Sequence, residues 1–571
     1  MLLGYNLLKS MLFIIHLNSC FDINSHESKM SSIMLVFLFT LGVATAAAKF
    51  ACSYFNRPAG TTWLPGPKGI PFIGRTWDIP RKHSYLQFKK WSDKFGKIYQ
   101  INIFGVNHVW VASDEIANEL LVKRSETFSD RPQINNLGAS KTAPEYLPLL
   151  GCNDVWQRQR RFVHQIMSKS AADKHQLLPL HECKHFLLDL MLRPQELEMH
   201  AESYTGRVIS RLAFGHVRFA DEITLHSHAL LQAISPAANL PNIMPQLRLL
   251  PYWLSPWKQA ECARHARERE FFIKLRREVD KDLAAGSTCS SYMRSFIEGK
   301  NKGDKTTNAL DELEGAYTVG MVGLAGIITT ASALITYVLA MCLHPEWQAK
   351  VQEEIDRVCG DRMPRPSDYP DLPVLRAVIK ECMRWRPVTP SSIPHESTKD
   401  FIYEGHFIPA GSYIHPSQWA ITRDAATYPN PESFNPERWL SPAYPSFQEP
   451  LTKFPSIKNF TTFGYGRRIC MGMDLVEQEF LVGMGSMAWA FNFSKKLNDS
   501  GRPIDIPAHD YTSLLISRPR PFQFALEPRS EGREVQLYAQ YFDAVRSGEI
   551  GGMAQNADEI SLVKEKVVAA V

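Results

Sequence analysis

"FTTFGYGRRICMGMD" occupies residues 460–474, and its reading decides the fold. Cys470 is one of ten cysteines, but it alone stands among Gly464, Gly466 and Gly472, beside Arg467 and Arg468, seven residues after Phe463. A thiolate is a strong, soft metal ligand. To serve, the thiol must lose its proton and stay out of reach of water. Backbone N–H groups aimed at the sulfur, as at a helix N-terminus, lower its pKa. An apolar helical run starts at Cys470, so the sulfur can sit at such a terminus. The glycines let backbone approach a flat group where a Cβ would collide. Phe463 can shield the sulfur, and Arg468 can pair bidentately with a carboxylate. A lone cysteine near a turn is ordinarily structural. Here five positions of F-x-x-G-x-R-x-C-x-G are matched at Phe463, Gly466, Arg468, Cys470 and Gly472, which chance does not readily produce.

The rest of the chain sets bounds. It has 571 residues, 44% of them hydrophobic, enough for a large core in one big domain or a few ordinary ones. A formal charge of +5, spread along the chain, does not argue for nucleic acid but suits an anionic membrane surface or an acidic partner. No CxxC pair occurs, which leaves little basis for a zinc or dithiol site. Scattered cysteines in so long a chain suggest reduced thiols facing the cytosol.

Residues 31–48, "SSIMLVFLFTLGVATAAA", are just long enough to span a bilayer; a signal peptide is the competing reading. Lys49, Arg57 and Lys68 favour an uncleaved anchor with a cytosolic globule. "WLPGPKGIPFIG" (63–74) then forms a semi-rigid spacer. The expected organisation is an upstream extension at 1–29, a transmembrane anchor at 30–57, a proline-rich hinge at 58–74, a catalytic domain at 75–528 and a tail at 529–571 without assigned role. Residues 315–343 carry no charge. By themselves they fit a membrane span and a core helix equally. Gly320, Gly323 and Gly326 give that helix a bare face, suited to another helix or to something flat.

The cysteine box resembles that of the cytochrome P-450 family, which is haem-thiolate. Further motifs agree. "KECMRWRP" places Glu381 and Arg384 in E-x-x-R, and "NPERW" supplies Arg438. "WQRQR" places Trp156 and Arg160 in W-x-x-x-R, and "IPHES" places His395 where many eukaryotic members have a histidine near a propionate. "AGIITT" (325–330) matches the oxygen-helix motif at Ala325, Gly326, Thr329 and Thr330, but Ile328 stands where the family has an acid.

The resemblance implies a mainly α cytochrome P-450 fold with a small β-rich lobe, preceded by the anchor. It implies haem b (iron protoporphyrin IX) with Cys470 as axial ligand, and Phe463, Gly466, Arg468, Gly472, Trp156, Arg160, His395 and Gly326 around the cofactor. Thr329 and Thr330 would be catalytic, and Glu381, Arg384 and Arg438 a structural ion triad. The implied activity inserts one atom of dioxygen into a lipophilic small molecule, in fungal secondary metabolism of polyketides, terpenoids or alkaloids. NADPH–cytochrome P-450 reductase would supply electrons, with Arg158, Arg161 and Arg467 helping to form a basic docking face. No nucleic-acid partner is implied. The implied location is the endoplasmic reticulum membrane, with the catalytic domain cytosolic. The missing acid admits an alternative, a haem-thiolate isomerase, dehydratase or ring-forming oxidase without the usual proton relay. Candidate substrate contacts lie at 131–153, 320–329, 389–393 and 509–515.

Overall fold

The computed structural model describes residues 57–70, 73–168 and 175–550. The expected upstream extension, and all of the expected anchor but its last residue, lie outside them.

The uncharged run becomes one helix, Glu312–Leu343. Its start is encoded locally. Asp311 accepts from the Glu314 N–H at 2.8 Å, and the Glu314 carboxylate receives the Asp311 N–H. That satisfies two donors the first turn would otherwise orphan. The helix is long and apolar enough to cross a membrane, yet most of it is buried inside the protein. It is therefore the core helix of the two readings. It packs against helices Leu197–Phe214, Ala220–Ile234, Pro256–Ala284, Pro373–Trp385 and Met473–Ala490. The three glycines explain the close approach. A Cβ on Gly320 would lie 2.4 Å from the Phe272 ring, one on Gly323 3.2 Å from Ile223, and one on Gly326 2.8 Å from Ile209. On its Cβ side the bare face meets protein, including at Gly326, which was expected beside a flat cofactor.

The β-rich lobe joins distant parts of the chain. Ile98–Ile103 pairs with Val106–Val111, which pairs in parallel with Tyr413–Pro416, with His395–Glu396 on the far edge. Thr62–Trp63 pairs with His406–Ile408, itself hairpinned to Phe401–Tyr403. The lobe thus draws on the 395–416 region as much as on the N-terminal part. Residues 461–472 lead through two short 3-10 turns, Thr461–Phe463 and Gly466–Arg468, into the helix Met473–Ala490.

The tail is not featureless. Ser530 caps a helix, Glu531–Arg546, which lays Leu537, Tyr538, Tyr541 and Ala544 inward, against helix Leu178–Leu192. Its Arg533 guanidinium sits 4.7 Å from the Trp489 ring centroid, at the end of the helix that follows Cys470.

Candidate active site

The loop carrying Cys470 is closed on itself: the Cys470 N–H donates to the Phe463 carbonyl at 2.8 Å. Gly464 and Gly466 take positive φ, +83° and +55°, which such a tight loop requires. A Cβ on Gly466 would come 2.2 Å from the Leu121 carbonyl oxygen. The bareness of Gly466, expected beside a cofactor, lets the loop seat on the Leu121 backbone. Burial pushes the Cys470 thiol pKa up, while the Gly472 N–H and the Arg160 charge pull it down. Its side chain is nevertheless accessible. Protein surrounds the sulfur but does not cover it.

The central helix also has one short accessible stretch. Between residues 314 and 342 only Val322, Ala325, Gly326 and Thr329 are less than fully buried. Val322, Ala325 and Thr329 share one face by helical spacing. The Thr329 hydroxyl donates to the Ala325 carbonyl at 2.6 Å. Ile328 is buried in the core, so the position of the missing acid is not part of that accessible stretch. Thr330 is also buried, and its hydroxyl has no hydrogen-bond partner.

Beside the loop, cations converge. Arg468 donates to the carbonyls of Ser129 (2.8 Å) and Leu150 (2.6 Å), and its Nη1 is buried without a partner. Its guanidinium lies 4.4 Å from the Trp156 ring centroid, and that of Arg160 5.6 Å. Asn153 caps the helix Asp154–Ile166 that carries both Trp156 and Arg160. Arg131 donates to the carbonyls of Pro148, Ile393 and Pro394. Burial first, and then the Arg468 charge, hold the Arg131 pKa well below the usual guanidinium range. His395 Nδ1 donates to the Phe128 carbonyl at 2.7 Å, and burial, then Arg131 and Arg468, keep the ring neutral. Three guanidiniums this close repel unless an anion joins them. Arg131 was legible only as one end of a stretch expected to touch substrate; its place among the arginines comes from the fold.

Glu381 is the hub of a second cluster. Arg384 grips both its oxygens at 2.8 Å, and Arg438 reaches it at 3.2 Å. The Trp439 indole and the Asn435 N–H complete its bonds at 3.0 and 2.8 Å. Glu381, Arg384 and Arg438 have no exposed surface. The two guanidiniums also hold the carbonyls of Thr422, Pro429, Pro431 and Ser433, so one charged knot fixes the chain that precedes the cysteine loop.

Among the described residues no group of three or more His, Cys, Asp or Glu side chains could hold a metal ion. An iron at Cys470 would arrive with a macrocycle's ligands. The residues fit a haem: an accessible thiol at a helix entrance, an accessible stretch of the otherwise buried central helix, and an arginine cluster with an unpartnered buried Nη1 to receive carboxylates. Arg158, expected on a docking face, instead grips the buried Glu314 at 2.8 Å, while Arg161 and Arg467 are exposed.

The family model described as "Cytochrome P-450" matches residues 64–525. Cytochrome P-450 monooxygenase 58 of Postia placenta is 31% identical over 480 residues, covering 82% of this chain and 89% of that protein. Cytochrome P-450 monooxygenase virE of Hypocrea virens is 30% identical over 490 residues, covering 84% and 87%. A zebra fish cytochrome P-450 solved with abiraterone superposes with a TM-score of 0.62 at 23% identity, covering 78% of this chain and all of that one. A haem-thiolate family model spanning most of the chain, fungal monooxygenases alike over more than four-fifths of it, and an accessible thiol at a helix entrance lead to one assignment: the chain belongs to the cytochrome P-450 family and is a monooxygenase of that family.

Proposed function

We propose that the protein is a membrane-anchored haem-thiolate enzyme that inserts one atom of dioxygen into a lipophilic small molecule, in the secondary metabolism of a fungus. The observation that carries the reading is the Cys470 loop, whose accessible sulfur receives the Gly472 N–H and lies at the entrance of a core helix. The fungal relatives named above support the source. The apolar face of Val322 and Ala325 supports a lipophilic substrate.

A bound haem b supplies an iron centre that takes two electrons and activates dioxygen. The chain's residues do the rest. Cys470 would be the thiolate ligand, and the Gly472 N–H and Arg160 favour its charged form. Arg131, Arg160 and Arg468 would hold the carboxylates of that group as paired charges, with Trp156 and His395 beside them. Phe463 anchors the loop through its carbonyl, so the sulfur is held before the cofactor arrives. Val322 and Ala325 make the accessible stretch of the central helix apolar, and Thr329 presents a hydroxyl there. Electrons come from an NADPH-dependent reductase docking near Arg161 and Arg467, with the globule on the cytosolic side of the endoplasmic reticulum membrane.

The test is the carbon monoxide difference spectrum of the reduced protein in microsomes, with Cys470→Ser alongside. A red-shifted thiolate band, lost in the mutant, is the expected result. A haem-loaded wild type with a histidine-type band overturns the reading. Ile328 motivates one rival, a haem-thiolate isomerase or dehydratase. Such an enzyme would show the same band but convert its substrate without consuming NADPH or dioxygen.

A further inference from the structure

Cys152 is an exposed thiol one residue before Asn153, the cap of helix Asp154–Ile166. Its surroundings set it apart from an ordinary surface cysteine. The thiol donates to the Ser129 carbonyl at 3.2 Å, and Arg468 Nη2 lies 3.4 Å from the sulfur. Arg468 Nε donates to the same carbonyl at 2.8 Å, so thiol and guanidinium share one acceptor. That arginine is only 8% exposed, and its Nη1 has no hydrogen-bond partner. The Ser129 hydroxyl is buried and unpartnered as well. Two buried polar groups beside the thiol therefore have hydrogen-bonding capacity unspent. Arg131, Arg160 and Arg468 all lie close enough to feel a charge on this sulfur. The opposing carboxylate is Asp130, which accepts the Cys152 N–H at 2.8 Å and is itself paired with Lys141 at 2.8 Å. Accessible thiols in electropositive surroundings are the reactive ones.

Resting on the haem-thiolate reading, we infer that Cys152 is a thiolation site for an anionic, low-molecular-weight disulfide of the glutathione class, and that the adduct contests Arg468 with the haem carboxylates. In the step, the Cys152 sulfur attacks one sulfur of the disulfide. The S–S bond breaks and a mixed disulfide forms on Cys152. The other half leaves as a thiol, carrying the proton that Cys152 gives up. The Cys152 sulfur is oxidised by as much as the leaving sulfur is reduced. The adduct ends the S–H bond to Ser129 and brings carboxylates to a guanidinium that already touches the sulfur. Carboxylates are what a guanidinium binds best. Thiolation therefore loosens the cofactor, and a free thiol, by reversing the exchange, restores its hold.

The test needs no identified substrate. The purified holoenzyme is incubated with glutathione disulfide, and the adduct on each cysteine peptide is timed by mass spectrometry. Cys262 and Cys289, also exposed, are the internal references. Cys152 should be modified about tenfold faster than either, within the usual range of electrostatic steering. Cystamine, a cationic disulfide, should show no such preference, and added salt should shrink the preference for glutathione disulfide. Transfer of haem to apomyoglobin, followed by absorbance, should be several-fold faster after thiolation and should slow again on adding reduced glutathione. In Cys152→Ser, glutathione disulfide should leave haem transfer unchanged. A Cys152 rate equal to those of Cys262 and Cys289, or indifferent to the charge of the disulfide, overturns the site. A thiolated protein that holds haem as firmly as the untreated one overturns the contest for Arg468. Absence of the carbon monoxide thiolate band in the wild type would instead overturn the haem-thiolate reading, while the adduct rates still decide the site. Should Cys152→Ser fail to accumulate, reversal by reduced glutathione in the wild type decides the matter.

Discussion

Glu479, fully buried on helix Met473–Ala490, makes a prediction about stability. The native state keeps its proton up to about pH 8, while the unfolded chain releases it near the ordinary value of 4.5. In that window the native state binds the proton better, so stability is full below it and falls as pH rises through it. Glu479→Gln should flatten that slope. It should raise stability near neutral pH by up to about 3 kcal/mol, less the cost of a buried amide. Denaturant midpoints at several pH values would show it, and parallel wild-type and mutant curves would refute it. Arg468 argues in the other direction. Its unpartnered Nη1 and its two carbonyl bonds make it a receptor for an anion. Arg468→Ala should lower haem content at least several-fold, and Arg468→Lys should recover only part of it, because a lysine cannot reproduce the planar fork. The haem-to-protein absorbance ratio is the measurement.

At the scale of elements, the central helix is held by two kinds of fit. Its glycine face leaves no space: Gly320→Ala would press a methyl into the Phe272 ring. Overpacking of this kind costs roughly 1–3 kcal/mol. The expected outcome is a lower thermal midpoint with an unchanged carbon monoxide band. The ion triad works differently. Removing Glu381 leaves Arg384 and Arg438 buried and uncompensated, a loss of roughly 3–5 kcal/mol. Glu381→Ala should therefore yield little haem-loaded protein at all. A mutant that accumulates and binds haem normally would show that the knot is not needed to set the cysteine loop.

At the scale of the molecule, the C-terminal helix closes a circuit. Arg529 and Arg533 bridge to Asp356, Arg533 also holds the Gly360 carbonyl, and Leu537 and Tyr541 bury themselves against the body. The family match ends at residue 525, before this helix begins. Truncation after residue 528 should lower the thermal midpoint by several degrees and speed haem loss, with the carbon monoxide band unshifted. An unchanged midpoint would reduce the helix to a passive appendage. The proposed topology is checked on microsomes: Asn459, Asn492 and Asn498 each head an N-x-S/T site and should carry no glycan if the globule faces the cytosol.

What the sequence determined by itself was chemistry tied to short spacing. The five positions around Cys470 and the Glu381–Arg384 pair lie within a few residues, where helix and turn geometry leaves little choice. The long apolar helix was visible, but its surroundings were not: composition is the same for a span and for a core. Only tertiary packing decided that Gly320, Gly323 and Gly326 face other helices, that Gly466 faces Leu121, and that Arg158 is spent on Glu314. Arg131 and Glu479 show why. Each is an ordinary charged residue in its own neighbourhood, and each acquires its character first from burial, with the Arg468 charge adding to it for Arg131 and the Thr330 hydroxyl opposing it for Glu479. Burial, charge and partnership depend on position in space, and no local pattern in the chain specifies that position.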